Sequence, residues 1–425
     1  MLVLFLPVFL FFLMVGLPVF FGLLFAPGIL LWLNGQERDL TLLYRNLYNG
    51  MDSFPLMAIP FFMLAGELMN RGGITLRLVE FSQAMMGHFR GGLAHVNILS
   101  SMLFAGLSGS AVADVAAMGS IIIPEMKKRG YPAPFAAAIT SSSASLAIII
   151  PPSIPMILYA VAAGTSIEQM FVAGVVPGLI GAAGLMGVAY YYAVKYNLPM
   201  EEAFNLRRLR TTFVEALPTF SLPVIILGGI FGGFVTATEG AGIAVVAAIL
   251  VGIWYREVDW GQLKQAMLEG GIQTAVVMLL VAASILMGSY LTQARVPQQL
   301  AEGILDITSN QYLILLILNV FFLVIGFFLH SAAAIILVVP VIVPLIQQAG
   351  IDPVHFGLVV TLNLAIGQQT PPVASVLITA CSIAKANIWE VSKANLPFVG
   401  VLLFVLLLCT YVPAVPMFLV EYFYR

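Results

Sequence analysis

Ala147-Ile148-Ile149-Ile150-Pro151-Pro152-Ser153 and, 220 positions later, Gly367-Gln368-Gln369-Thr370-Pro371-Pro372-Val373 each set a Pro-Pro pair inside an apolar stretch. A proline inside a helix removes a hydrogen bond and clashes with the preceding turn. In a bilayer, the carbonyls freed in this way must find another partner. Breaks at matched positions in two halves of a chain predict an ion or a substrate as that partner.

The rest of the composition agrees with a bilayer setting. Of 425 residues 61% are hydrophobic and only 9% charged, and the mean hydropathy is +1.03. A soluble domain carries about 25% charged residues. Long apolar runs, not short alternating segments, predict helices rather than a β-barrel. The chain therefore reads as an all-α polytopic membrane protein. A net charge of −2 with no basic run longer than Lys127-Lys128-Arg129 predicts no nucleic-acid partner. Cys381 and Cys409 lie in apolar surroundings and read as small buried hydrophobes. Met1 to Met14 has no basic leader and reads as membrane-embedded. No HExxH, nucleophile elbow or P-loop occurs, so neither an enzyme nor an ATPase is predicted.

The 220-residue offset reaches beyond the prolines. Glu37, Asp39, Gly50, Gly106, Pro124, Gly130 and Pro177 match Glu257, Asp259, Gly270, Gly326, Pro344, Gly350 and Pro397 without a gap. Two copies follow, over 1–200 and 221–425, joined by a linker over 201–220. Lys127-Lys128-Arg129 precedes Gly130, whereas Gln347-Gln348-Ala349 precedes Gly350. Basic residues mark the cytoplasmic side. Equivalent loops on opposite sides make the duplication an inverted repeat, with Arg71, Arg77, Arg90, Arg207, Arg208 and Arg210 also in the cytoplasm.

Within copy one the expected order is scaffold helices over 1–70, an arm helix over 72–90, a hairpin over 92–129, a broken helix over 133–164 and a helix over 168–195. In copy two it is 221–291, 296–309, 311–349, 353–386 and 391–420. The hairpin arms are short for a span of about 20 residues. They read as re-entrant, with tips at Gly106–Ser110 and Gly326–Ser331. The stretches Arg38–Asn49 and Val258–Leu268 read as a further matched pair lying along the interface.

Hydroxyls and unwound carbonyls are hard oxygen ligands suited to sodium. Ser108, Gly109, Ser110 and Asp114 gather such groups at the first tip, and Ser141, Ser142, Ser143 and Ser145 lie just before the first break. Asp114 reads either as an ion ligand or as a carboxylate capping the tip amides. Any single serine reads equally as a packing residue. Copy two offers Gly326, His330 and Ser331 at the tip, and Asn363, Gly367, Gln368, Gln369, Thr370 and Pro371 around the break. Its amides and hydroxyls suit a polar organic anion. Glu67 reads as a partner of Arg71, and Glu239 as a helix cap.

Gly106-Leu-Ser-Gly-Ser-Ala-Val-Ala-Asp114, Ile123-Pro-Glu-Met-Lys-Lys-Arg-Gly-Tyr131 and Ile150-Pro-Pro-Ser-Ile-Pro155 together resemble the large membrane subunit of tripartite ATP-independent periplasmic (TRAP) transporters. The likeness runs over nearly the whole chain. Thr238-Glu239-Gly240 departs from the family's Thr-Glu-Ala-type motif. The resemblance implies a multi-pass protein of the bacterial inner membrane with an elevator-type ion transporter fold, importing an organic acid anion with sodium. It also implies two partners, a small four-helix membrane subunit and a soluble periplasmic binding protein. The family's ion sites map onto Ser108, Gly109, Ser110, Asp114, Ser141, Ser143, Gly326, Ser331, Gly367, Thr370 and Pro371. Substrate contacts then fall to Ser142, Ser145, His330, Asn363, Gln368 and Gln369. Among the family's C4-dicarboxylates and sialic acids, the neutral amides and the histidine favour a sialic acid such as N-acetylneuraminate. A self-sufficient sodium/carboxylate symporter is the alternative, ahead of a channel or a membrane-embedded enzyme.

Overall fold

The computed structural model describes residues 51–424 and 15–33, with positions 7–9, 11–12, 44–45 and 47. The Arg38–Asn49 stretch lies largely outside the described residues. Copy one contains α1 (Val19–Leu33), α2 (Ala58–Arg71), α3 (Ile74–Met86), α4 (Gly92–Ser108), α5 (Ala111–Lys128), α6 (Ala133–Ala144), α7 (Ile154–Ala163) and α8 (Ile167–Lys195). α9 (Leu206–Phe231) opens the second half. Then come α10 (Ala237–Trp254), α11 (Trp260–Gln293), α12 (Val296–Ile307), α13 (Gln311–Phe328), α14 (Ser331–Gln348), α15 (Pro353–Gly367), α16 (Ser375–Ala384), α17 (Ile388–Tyr411) and α18 (Ala414–Tyr424).

The duplication is visible in the element bounds. α5 and α14 start and end 220 positions apart, and α4/α13, α6/α15, α7/α16 and α8/α17 follow within a residue or so at their starts. The match is not free of gaps, however. The arm helices α3 and α12 both start after a left-handed residue, Gly73 (φ 70°) and Arg295 (φ 54°), 222 positions apart. α2 and α11 end at Arg71 and Gln293, in the same slipped register. The loop from arm to hairpin is correspondingly shorter in copy two and restores the 220 offset. Val258–Leu268 is not a separate interfacial helix either. From Trp260 onward it is the start of α11, which continues unbroken to Gln293.

Among the described residues seven helices are long and apolar enough to cross a membrane, and the chain is a multi-pass membrane protein. Two of the seven are α13 and α14. At about 1.5 Å per residue their 18 residues reach about 27 Å, just under a hydrocarbon core of about 30 Å. Only Leu329 and His330 separate them, so the second tip is tighter than Gly326–Ser331, and Gly326 is helical. Likewise α4 runs through Ser108, which narrows the first tip to Gly109-Ser110.

The packing obeys the repeat. α5 of the first hairpin lies on α16, the outgoing half of the second broken helix, and α14 lies on α7. α6 meets α16 and α17. These contacts join hairpins, broken helices, α8 and α17 into one body. Around it, α2 packs on α10 and on α11, and α11 also packs on α1. This second body is a scaffold formed from both copies.

One end of the molecule gathers the basic residues. Arg71 binds Glu67 at 2.8 Å and Glu269 at 2.6 Å, and Arg77 lies 3.7 Å from Glu257. Arg129 pairs with Glu201 at 3.2 Å, and Lys127 Nζ donates to the Ala384 carbonyl at 2.8 Å. Glu67 is thus the partner of Arg71, as its place at the end of an apolar segment suggested. Glu239 forms a capping box with Thr236 at the start of α10.

Candidate functional site

Each broken helix ends where a hairpin tip meets it. Ser110 extends the chain before α5, and its side chain accepts from Ala113 N. Gly109 adopts φ 62°, and a Cβ there would stand 2.7 Å from the Pro152 carbonyl, so only glycine fits. Ile154 N donates to the Gly109 carbonyl at 3.4 Å. Copy two repeats the contact, with Val373 N donating to the Phe327 carbonyl at 3.2 Å. There the approach is closer still: a Cβ on Gly367 would lie 2.5 Å from the backbone of Gly326. Both Pro-Pro bonds, Pro151-Pro152 and Pro371-Pro372, are cis.

Four helices therefore begin at the centre of the body, α5, α7, α14 and α16, and four segments end there. A small cavity of about 40 Å³ lies between the two tips, lined by Gly109, Ser110, Ile154, His330, Ser331 and Gln368 among others. Met63 of α2 and Val277 of α11 close it from the scaffold. Helix N-termini present free amides with partial positive charge, which suits an anion. The Nε2 of Gln368 is buried with no partner among the described residues, a further donor at this cavity.

Beside it stands the acid of the first tip. Asp114 is fully buried, Ser108 Oγ donates to its Oδ1, and its Oδ2 has no partner among the described residues. A buried carboxylate oxygen left unpaired is costly unless a cation meets it. With the Ser108 and Ser110 hydroxyls and the unwound carbonyls of Gly109 and Pro152, this donor set fits a hard monovalent cation such as sodium. A second cavity, of about 30 Å³, opens from Ser108 and Ser110 toward Glu67, Asn70 and Gln273 on the scaffold.

The serine cluster divides in two. Ser142 Oγ donates to Gln369 Oε1 at 2.9 Å, Asn395 Nδ2 donates to the same oxygen at 3.0 Å, and Gln369 Nε2 donates to Ser145 Oγ. Ser141 Oγ reaches Gln369 Oε1 at 3.5 Å. These buried groups of both copies form one network. Ser143 instead turns to the first hairpin, donating to Ser101 at 3.1 Å and Asn97 at 3.3 Å. Its counterpart Asn363 turns to the second hairpin, donating to Asn319 at 2.7 Å. Both bond to a hairpin helix, as small and amide side chains do in membrane packing, although Asn363 Oδ1 has no partner among the described residues, and neither lines the cavity between the tips. Thr370 Oγ1 donates to the Ile366 carbonyl at the second break. Copy two has no acid at its tip: Ala334 stands where copy one has Asp114.

Sequence reasoning missed Asn395, Asn97 and Asn319, each an amide in the middle of an apolar helix, and the scaffold groups Asn70 and Gln273. The asparagines carried a signal, a strong donor and acceptor in an apolar segment. Which neighbour they served was not local information.

Residues 6–415 match the DctM component of tripartite ATP-independent periplasmic transporters. The chain belongs to this family. Its relatives include the C4-dicarboxylate TRAP transporter large permease protein of Pseudomonas aeruginosa, 39% identical over 93% of this chain and 92% of that protein. The sialic acid TRAP transporter large permease protein of Vibrio cholerae is 36% identical over 96% of both. The isethionate TRAP transporter permease protein of Oleidesulfovibrio alaskensis is 39% identical over 96% of this chain, which spans 64% of that longer protein. Among solved structures, the Alcanivorax borkumensis YdaH transporter, described as having an unusual topology, superposes with a TM-score of 0.60. It covers 89% of this chain and shares the fold at only 15% identity. As a DctM-family member the chain is a transporter permease component and not an enzyme.

Proposed function

We propose that this DctM-family chain is the membrane subunit that carries an organic acid anion inward with sodium, after a soluble periplasmic binding protein delivers it, and that it works beside a small four-helix membrane subunit. The observation that carries this reading is the meeting of both tips and both breaks at one cavity. A buried acid and an unpaired Gln368 amide stand beside that cavity. Relatives of similar identity are named for C4-dicarboxylates, sialic acid, isethionate and 2,3-diketo-L-gulonate, all of them organic acids. A sialic acid stays within that class, but of the amides that favoured it, the Asn363 Nδ2 is held by Asn319 and Gln369 by the serine network. In this reading Ser108, Ser110 and Asp114 hold sodium, whose positive charge helps to retain the carboxylate. The helix N-termini and Gln368 orient that carboxylate.

The asymmetry between the copies supports an elevator movement. In copy one the scaffold glycine Gly66 touches the hairpin tip: a Cβ there would lie 3.4 Å from Ser108 Cα. Arg71, at the basic end, is little more than one turn away. In copy two the residue in the same register, Gly288, meets Pro340, far along α14, and a Cβ there would lie 4.0 Å from Pro340 Cβ. Correspondingly α14 packs along α11, whereas α5 makes little contact with α2. A body displaced toward the basic end accounts for both. Exchanging the two copies' contacts describes the opposite state, with Gly66 beside Ser120, a shift of about 15 Å along the hairpin arm.

Reconstitution tests the reading. Proteoliposomes holding this chain and the small subunit should accumulate labelled organic acid only with an inward sodium gradient and the binding protein outside. Accumulation of free substrate without the binding protein would favour a self-sufficient symporter.

A further inference from the structure

The non-basic end of the body carries a cleft of about 320 Å³ at the foot of the second hairpin, lined by Gln311, Ile351, Asp352, His355, Pro413 and Glu421 among others. Each of these has a counterpart 220 positions earlier: Gly91, Tyr131, Pro132, Phe135, Ala193 and Glu201. In copy one the equivalent place is filled. Gly91 N donates to the Pro199 carbonyl at 3.0 Å, and Arg90 and Met200 form an antiparallel bridge. A Cβ on Gly91 would meet Ala193 Cβ at 2.5 Å, so nothing else fits between them. The chain's own linker thus lies in the copy-one cleft as an extended segment. It brings Glu201, whose side chain is 1% exposed, onto Arg129 at 3.2 Å, with Tyr131 alongside.

Copy two keeps the acid of this arrangement and lacks the base. Glu421 stands where Glu201 does in the sequence, but on the helix α18 and not on an extended segment, while Ala349 replaces Arg129 and Ile351 replaces Tyr131. Glu421 is exposed, and Asp352, which caps α15, adds a second carboxylate to the same cleft. The surrounding end is acidic too. Glu168, Glu239, Glu302 and Asp306 belong to it, against Arg295 and Arg45 among the described residues. A cleft whose twin holds an extended segment and an arginine–glutamate pair has room for such a segment and carries an acid without its arginine.

We infer that this cleft receives an extended, basic segment of the periplasmic binding protein, with an arginine or lysine of that protein taking on Glu421 the place that Arg129 takes on Glu201. The inference rests on the proposed function, because the non-basic end must face the periplasm and the partner must exist. Docking here would tie delivery to the body that moves, not to the scaffold.

The test is the affinity of the substrate-loaded binding protein for the transporter with its small subunit in nanodiscs. Wild type, Glu421→Gln and Ala414→Trp are compared, the last filling the cleft without altering charge. Each variant should weaken binding about tenfold, the scale of losing one charge pair at an interface. Glu421→Gln should also flatten the salt dependence of binding, which a merely structural defect would leave in place. Wild-type affinity and salt dependence in both variants, with uptake still requiring the binding protein, would overturn the docking site alone. Wild-type uptake with no need of the binding protein would remove the partner, and with it the proposed function as well.

Discussion

Asp114 and Ser108 form the most exposed wager at the level of single residues. Asp114→Asn keeps shape and removes charge. In proteoliposomes it should raise the sodium concentration for half-maximal uptake about tenfold or more, because cation affinity follows the ligand charge. Ser108→Ala should shift it less. Unchanged sodium activation in both would remove the ion site from this tip. Gly367→Ala tests the second tip, since its methyl would enter the backbone of Gly326. Overpacking of this kind costs about 1–3 kcal/mol, to be read as a fall in melting temperature. A pH effect belongs to Glu201. Burial pushes its carboxyl above the usual range, and Arg129 pulls it back. The folded protein then holds more protons than the unfolded chain between the ordinary and the raised value, so stability falls as pH rises through that window. Arg129→Met should deepen the fall by about 1 kcal/mol, less than for a fully buried pair because Arg129 is half exposed. Melting curves at acidic and mildly alkaline pH should diverge more in the variant than in wild type.

The helix breaks show what local sequence can and cannot specify in an element. Ser153 closes the first break from both sides: its hydroxyl donates to the Ile148 carbonyl at 2.7 Å and accepts from Met156 N. Ser153→Ala should cost about 0.5–2 kcal/mol, the range for loss of an N-cap, measurable by thermal unfolding in detergent. Copy two has Val373 at that position and no side-chain cap on α16; there Val376 N donates to the Gln368 backbone carbonyl at 3.2 Å. Proline and glycine punctuation made hairpins, breaks and arm helices legible, because the forces behind them act within a few residues. The register slip was not legible. At the start of the arm helix a left-handed conformation is held by Gly73 in one copy and by Arg295 in the other, and an arginine does not advertise that geometry. The start of α11 misled for the opposite reason: its charged face looked interfacial, while α2 covers part of it through Arg71, Gln262 and Glu269. The candidate site was legible as a set of polar residues near tips and breaks. Their division into cavity and packing was not, since the partner of Ser142 lies 227 positions away.

For the whole molecule the repeat makes the second conformation a matter of arithmetic. In a background without Cys381 and Cys409, Gly288→Cys with Pro340→Cys should cross-link readily in the state described, as their Cβ separation allows. Gly66→Cys with Ser120→Cys should cross-link only when the body has crossed toward the other side, and each bond should arrest uptake. Equal cross-linking of both pairs under all conditions would contradict a sliding body. A final consequence comes from Gln369. It belongs to copy two, yet it is clasped by Ser142 and Ser145 of copy one and by Asn395. In the proposed elevator movement those bonds gear one compartment to the other, so that neither half would travel with its load while the other stays behind. Cutting them with Gln369→Leu should leave a transporter that slips, passing sodium without cargo, and the ratio of sodium to organic acid taken up should rise above the wild-type value.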